Sequence, residues 1–316
     1  MKTRKWAYLL AGLMQPQKEV YSDSKPIIAE SIDEINFEKI GVRLKKVFLT
    51  EKGKGRRKGP LLFDYWEGFL FYVNDGMIDD RFAQSFSDAV TAALALVYDL
   101  DTEEIPTAVL IPEDMIKKDR FISIKDIIGN HGIGSEIYFS LTDRVGVPKQ
   151  VLDYVWRVVP HIVENKSVMD AAHFYKESIG GVWVADDDVF NFMVDDSNIP
   201  KSQREKARVE TAYQNAFKAI EAITGEPPKD KRKLRTRLIE AGINPDENVG
   251  YNLYGMKPGK ETLIKKIVDM HKTRDKMAAH GKTKIPRAIG YCELKDKQAL
   301  ARYIVLSHIE NTRASN

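Results

Sequence analysis

The chain has 316 residues, of which 43% are hydrophobic and 30% charged, the composition of a globular protein with room for two domains. Its single cysteine, Cys292, excludes an internal disulfide framework and a cysteine-based zinc site, and is compatible with a reducing cytoplasm. The net charge of +3 is uneven, because residues 196–316 hold 25 Lys and Arg against 15 Asp and Glu. This excess favours an anionic partner, nucleic acid before membrane, and an uneven solvated surface is the alternative explanation.

The first half of the chain, residues 1–147, has the pattern of a mixed α/β domain. An apolar run near the N-terminus follows basic residues as in a signal peptide, but no small-residue cleavage site follows it, so we expect a first strand. No apolar run is long enough to span a membrane, and no membrane partner is expected. Strands are predicted at Trp6–Leu10, Ile40–Leu49, Gly68–Val73 and Ala108–Ile111, and a helix over Phe82–Val97.

Two glycine-containing segments of this half lack the spacing of a nucleotide-binding motif. Lys52–Gly59 does not have the order of a P-loop, and Ile128–Gly134 does not match a dinucleotide fingerprint, so both are expected to be loops. No recognisable chemistry falls in this domain. We therefore regard it as a candidate sensor or regulatory domain, open to a regulatory ligand or partner.

The second half, residues 148–316, has mostly helical patterns. Apolar residues recur at helical spacing from Val151 to Val163 with a kink expected at Pro160, and Ser167 is expected to cap the next helix. Further helices are predicted over Gln203–Gly225, Lys229–Glu240 and Lys295–Arg313, with a linking loop at Asn244–Gly259. The predicted fold class is α+β, a mixed α/β domain followed by an all-α bundle.

The acidic clusters and histidines do not indicate a metal site. The aspartates at 186–188 and 195–196 are expected to form caps and turns, since no calcium-loop pattern or partnered histidine accompanies them. Five histidines show no ligand spacing and are expected to be surface or core residues: His131, His161, His173, His271 and His308. We expect neither a metal nor a cofactor.

The helix predicted over Lys229–Glu240 begins with a basic segment. Leu234 and Leu238 are expected to face inward, and the cations to face solvent. Six cations within nine residues make this the best candidate for contact with RNA phosphates, although a solvated helix face is the alternative. They are Lys229, Lys231, Arg232, Lys233, Arg235 and Arg237.

The segment Glu261–Gly281 is predicted to be an amphipathic helix that carries a cation within its apolar stripe. Arg274 lies seven residues after Ile267, so the two share one helix face, and a guanidinium there needs an anion or acceptors. His280 follows six residues later, immediately before Gly281 ends the helix. A permanent cation and a group that titrates near neutrality are thus expected at one helix end.

The residues 274–280, RDKMAAH, resemble the R-x(4–6)-H motif of the HEPN superfamily. The preceding segments AAHFYKESI (171–179) and ARVETAYQNAFKAIEAITG (207–225) are similar in order to the Apea-like branch, and the resemblance covers roughly residues 150–312. It implies a helical domain that forms a homodimer and cleaves RNA without metal, as in toxin or antiviral defence. It also implies that Arg274 and His280 are the catalytic pair, Asp275 the polar residue after the arginine, and Glu221 a supporting partner of Arg274.

The chemistry of RNA fits these residue types, because the 2′-hydroxyl is a built-in nucleophile. His280 would move a proton and Arg274 would grip the phosphate oxygens, leaving a 2′,3′-cyclic phosphate. Three alternatives stay open. Arg274 and His280 could be a structural ion pair and a helix cap, the module could bind a nucleotide or protein without catalysis, or it could be an adaptor with Arg274 in its dimer interface.

Overall fold

The structure is a computed structural model that describes residues 5–11, 13–14, 34–50, 66–99, 107–116, 121–123, 145–147, 149–183, 203–225, 230–252, 255–278 and 289–314. The predicted loops at Lys52–Gly59 and Ile128–Gly134, the aspartate clusters, Lys229 and His280 lie outside these residues. Within the described ranges, no helix combines the length and the apolar character needed to cross a membrane.

The chain divides into two compact units. One comprises Met1–Thr91 with Thr102–Glu164, and the other Ala92–Asp101 with Asn165–Asn316. The expected domain limits of 1–147 and 148–316 stay a prediction.

The first unit is built on an antiparallel sheet. The described strands of this unit are β1 (Trp6–Ala11), β2 (Leu13–Met14), β3 (Glu34–Phe37), β4 (Val42–Thr50), β5 (Trp66–Val73), β6 (Thr107–Pro112), β7 (Phe121–Ser123) and β8 (Val145–Gly146), of which β2 and β8 form a separate parallel pair. The main sheet has the order β3-β4-β5-β1-β6, and β7 pairs with β4 in parallel. The four strands predicted from the sequence are β1, β4, β5 and β6, and all four are confirmed within a few residues.

The central strands of this sheet are buried on both faces. Tyr8 lies opposite Phe71 in the register of β1 and β5, and their rings stack 5.3 Å apart. Phe86 of helix α1 (Asp80–Tyr98) packs on Phe71 with ring centroids 4.7 Å apart, so α1 covers this face. The opposite face carries a second apolar cluster that includes Leu9, Leu70 and Tyr72. Strands with apolar residues on both faces explain the near-continuous apolar runs in the sequence.

The remaining described helices follow these strands in the chain. They are α2 (Lys149–Glu164), α3 (Lys166–Trp183), α4 (Gln203–Thr224), α5 (Lys231–Glu240), α6 (Leu263–Ala278) and α7 (Tyr291–Ala314). Pro160 lies inside α2, which continues to Glu164. The expected cap of α3 at Ser167 is wrong, because the side chain of Asn165 accepts from the amides of Ser167 and Val168. Asn165 is an equally suitable cap and comes directly before α3.

In the second unit, α3, α4 and α7 pack together, and polar contacts attach the end of α1 to them. The Arg302 guanidinium of α7 donates from Nε to the Leu96 carbonyl at 2.6 Å and from Nη2 to the Val97 carbonyl. The Tyr175 hydroxyl donates to the Asp99 carboxylate at 2.6 Å. The bonds from Arg302 satisfy carbonyls that the end of a helix leaves free.

This unit is not all-helical, which corrects part of the predicted fold. Strands β9 (Asn248–Asn252), β10 (Gly255–Pro258) and β11 (Glu261–Thr262) form a small sheet in the order β10-β9-β11. A loop was predicted at Asn244–Gly259, where β9 and β10 lie, and β11 takes the first two residues of the helix predicted over Glu261–Gly281. A Cβ on residue 259 would lie 2.0 Å from the Val249 carbonyl oxygen, so the close approach of β9 requires Gly259. The α+β class is confirmed at this coarse level.

Candidate functional site

The candidate site lies on α6, whose apolar face packs in the core and whose first turn is held by hydrogen bonds. Leu263, Ile264, Ile267 and Met270 are buried, as their three- and four-residue spacing predicts. The helix begins where the amides of Leu263 and Ile264 donate to the carbonyls of Glu247 and Pro245, at 2.8 and 3.1 Å. These bonds satisfy donors that the first turn of a helix leaves free.

The loop that supplies those carbonyls is itself held by α7. Asn311 donates to the Gly242 carbonyl at 2.6 Å, and His308 Nδ1 lies 2.8 Å from the Ala241 carbonyl oxygen. The Tyr303 hydroxyl donates to the Glu247 carboxylate, and burial together with this bond raises the pKa of Tyr303 to about 12. The start of α6 is therefore fixed by a chain of contacts through α7.

Arg274 extends from α6 to α4, where it meets one carboxylate and one aromatic ring. Its Nη1 donates to Glu221 Oε1 at 2.5 Å, and its Cζ lies 4.6 Å from the centroid of the Phe217 ring. A guanidinium on an aromatic face is attracted by the negative charge of the ring face. The expected partnership of Glu221 with Arg274 is thus present, and the guanidinium has a fixed orientation.

A second carboxylate connects Arg274 to a histidine on the same helix. Asp275 Oδ1 accepts from Arg274 Nη2 at 3.2 Å, and Asp275 Oδ2 lies 3.3 Å from His271 Nδ1. The His271 ring meets the Phe217 ring edge to face, with centroids 5.6 Å apart. Glu221, Arg274, Asp275 and His271 therefore form one polar row over the buried Phe217, which we call the α4–α6 polar row.

The α4–α6 polar row reaches solvent. The side chains of Arg274 and Glu221 are 25% and 21% exposed, His271 is 15% exposed and Asp275 is 46% exposed. A guanidinium has five N–H donors, and the two carboxylates use only part of them. The guanidinium therefore has more N–H donors than its bonds to Glu221 and Asp275 use.

The row itself carries two carboxylates and one permanent cation. With neutral His271 its net charge is negative, so attraction of a polyanion depends on positive charge elsewhere on the surface. Beneath the row, the Tyr213 hydroxyl of α4 donates to the Met270 carbonyl at 3.4 Å, and burial raises the pKa of Tyr213 well above its usual value. Tyr213 is therefore a neutral structural contact between α4 and α6.

The predicted RNA-binding cations of α5 have different surroundings. Lys231, Arg232 and Lys233 are exposed in the first turn of the helix, where Asp230 accepts from the Arg232 amide as the N-cap. Arg235 instead pairs with both oxygens of Asp246, and this bond lowers the pKa of the carboxylate. Arg237 donates to the Thr224 carbonyl at 3.5 Å, at the C-terminal end of α4.

The structure therefore divides the basic segment by role. Arg235 and Arg237 already have acceptors within the chain, whereas Lys231, Arg232 and Lys233 have no ion pair with the residues that the structure describes. Contact of any of them with RNA stays a prediction.

His271 is the residue of this site that sequence reasoning missed, since it was expected to be an ordinary surface or core histidine. The spacing of His271 and Asp275 by four residues was a usable signal, because such pairs are neighbours on a helix. The sequence did not indicate that His271 and Arg274 would both contact Phe217 of α4. Among the described residues, no group of three or more His, Cys, Asp or Glu side chains could hold a metal ion.

Comparison of the chain with protein-family models, with curated proteins and with solved structures gives no significant match. The similarity to the HEPN superfamily and its Apea-like branch therefore stays a prediction from the residues quoted above.

Proposed function

We propose that this protein is a metal-independent endoribonuclease that uses Arg274 to stabilise charge on a scissile phosphate. The observation that carries the proposal is the guanidinium of Arg274, which reaches solvent in an orientation held by Glu221 and Phe217. A preorganised cation stabilises charge that develops in the transition state without a cost of reorganisation. Arginine also binds two phosphate oxygens at once through its fork of donors.

In this proposal the nucleophile belongs to the substrate. The 2′-oxygen attacks the neighbouring phosphorus, the bond to the 5′-oxygen breaks, and the products carry a 2′,3′-cyclic phosphate and a 5′-hydroxyl. Arg274 contacts the non-bridging oxygens, Asp275 orients Arg274, and His280 exchanges a proton with an attacking or leaving oxygen. In this proposal the protein acts as a homodimer that forms through the helical domain. Its biological role is in toxin or antiviral defence.

The test is cleavage of a mixed, labelled RNA pool in EDTA by wild type, Arg274→Ala and His280→Ala. Wild type should cleave, and each variant should lose about 100-fold or more of the rate, the usual cost of removing an electrostatic or acid–base group. Lys272→Ala removes an exposed cation of the same helix, and this control should keep the activity. Thermal melting and sizing establish that each variant folds and associates like wild type.

A non-catalytic binding module is the second candidate, and one observation favours it. Arg274 contacts two carboxylates, which is the arrangement of a structural ion-pair network as well as of an oriented catalytic group. Wild-type protein that binds RNA or a nucleotide but leaves RNA intact in EDTA would support the module and contradict the nuclease.

A further inference from the structure

His271 is held by contacts on two sides, although no part of the motif from Arg274 to His280 includes it. The Phe217 ring of α4 meets its ring edge to face, and Asp275 of its own helix lies 3.3 Å from Nδ1. The side chain retains 15% exposure. His271 is therefore held in place without being fully buried, unlike a core histidine.

The neighbouring carboxylate selects one form of the ring. An ionised carboxylate only accepts hydrogen bonds, so Asp275 favours a proton on His271 Nδ1. The second oxygen of Asp275 is already bound by Arg274, which keeps the carboxylate in place. Neutral His271 then has its lone pair on Nε2, the form that accepts a proton from a substrate.

We propose that His271 is the general base of this site, a role that rests on the endoribonuclease function proposed above. Nε2 of His271 accepts the proton of the 2′-hydroxyl as the 2′-oxygen bonds to phosphorus. The bond between phosphorus and the 5′-oxygen breaks, and that oxygen takes a proton from a second acid, the role left to His280. His271 then returns its proton to solvent, which balances the cycle.

The charged neighbours of His271 connect it to the guanidinium that binds phosphate in the proposed function. Asp275 is in direct contact, Arg274 lies next along the row, and Glu221 follows on α4. Asp275 links His271 to Arg274 in the row, so a phosphate bound by Arg274 would lie beside the same carboxylate that orients His271.

The test compares pH–rate profiles of RNA cleavage in EDTA for full-length wild type, His271→Gln and His173→Gln. A base must be neutral to act, so the wild-type rate should fall as the pH is lowered. His271→Gln should lose about 100-fold or more of the rate and that pH dependence with it. His173→Gln is the same substitution on α3, and it should retain both.

A second variant distinguishes loss of the base from loss of local structure around residue 271. His271→Ala leaves space beside Phe217, and added imidazole should restore part of its activity while leaving Arg274→Ala unchanged. If folded His271→Gln keeps the wild-type rate and pH profile, His271 is not the base, although the ribonuclease still stands. If wild type does not cleave at all, both proposals are overturned together.

Discussion

Arg274 and Glu221 are the residues on which the site depends most, and their interaction has a measurable energy. Both side chains are mostly buried, so removal of one leaves the other with an incompletely satisfied charge. We expect a double-mutant cycle of Arg274→Ala and Glu221→Ala to give a coupling of about 1–2 kcal/mol in unfolding free energy.

The matched control for this cycle is Arg235 with Asp246, an exposed pair with side chains 42% and 54% accessible. Its coupling should be smaller and should disappear at high salt, because solvent and ions screen an exposed pair. Equal couplings at the two sites would contradict the view that burial makes the interaction of Arg274 with Glu221 strong.

Two tyrosines of the sheet provide a second residue-scale prediction. The Tyr8 hydroxyl donates to Asp80 and accepts from the Asp79 amide, each at 2.9 Å, whereas the Tyr72 hydroxyl has no hydrogen-bond partner among the described residues. Tyr8→Phe should therefore lower the unfolding free energy by about 1–3 kcal/mol, and Tyr72→Phe should change it by less than about 0.5 kcal/mol. Chemical denaturation measures both, and equal losses would contradict the assignment.

The same pair predicts an alkaline limit to stability. Burial raises the pKa of Tyr72 to about 12, and burial with the bond to Asp80 raises the pKa of Tyr8 to about 12. A tyrosine whose pKa is raised in the folded state contributes stability that is present below its unfolded pKa near 10. That contribution is lost as the pH rises from about 10 to 12, and Tyr72→Phe should reduce the loss.

At the scale of elements, α5 separates cations that can contact RNA from cations that hold the fold. Replacement of Lys231, Arg232 and Lys233 by Ala should weaken RNA binding and reduce the salt slope by about 0.7 for each phosphate that is no longer neutralised. Arg235→Ala with Arg237→Ala should leave the slope unchanged, since both side chains already have acceptors within the chain. An unchanged slope in the first variant would remove α5 from the RNA surface.

The helices and the central strands were predictable from local pattern alone. The apolar stripe of α4 and the glycine and prolines after it predicted Gln203–Gly225, and the helix ends at Thr224 with Gly225 at a φ of +68°. The strands β9 and β10 were missed because glycines and a proline lie within or beside them, as in a loop. Both strands also pack against α7, an interaction that no local pattern contains.

The candidate site was predictable only in part, for a similar reason. Arg274 within an apolar stripe required an acceptor, and the acidic residue on α4 was a reasonable choice before the helices were placed. The spacing of His271, Arg274 and Asp275 on one helix was local, but the contacts of His271 and Arg274 with Phe217 depend on another helix. The sequence pattern predicted where the helices form, but it did not predict which side chains of different helices would contact each other.

At the scale of the whole molecule, the chain combines a sheet-based unit without assigned chemistry and a helical unit that carries the α4–α6 polar row. The positive excess lies in residues 196–316, the same part of the chain as the row. This distribution favours RNA as the partner, because the row alone is not positive and needs the surrounding cations to attract a polyanion.

The proposed function depends above all on the RNA supplying the nucleophile through its own 2′-hydroxyl. A single 2′-deoxy substitution in the substrate is the sharpest test of this dependence. The substrate is one short RNA cut by wild type in EDTA, compared with the same RNA carrying a single 2′-deoxy nucleotide 5′ to the mapped cleavage site. We predict that the first yields a 2′,3′-cyclic phosphate end and that the second is not cut at that position. Cleavage of both, or products with 3′-hydroxyl and 5′-phosphate ends, would contradict the proposed mechanism.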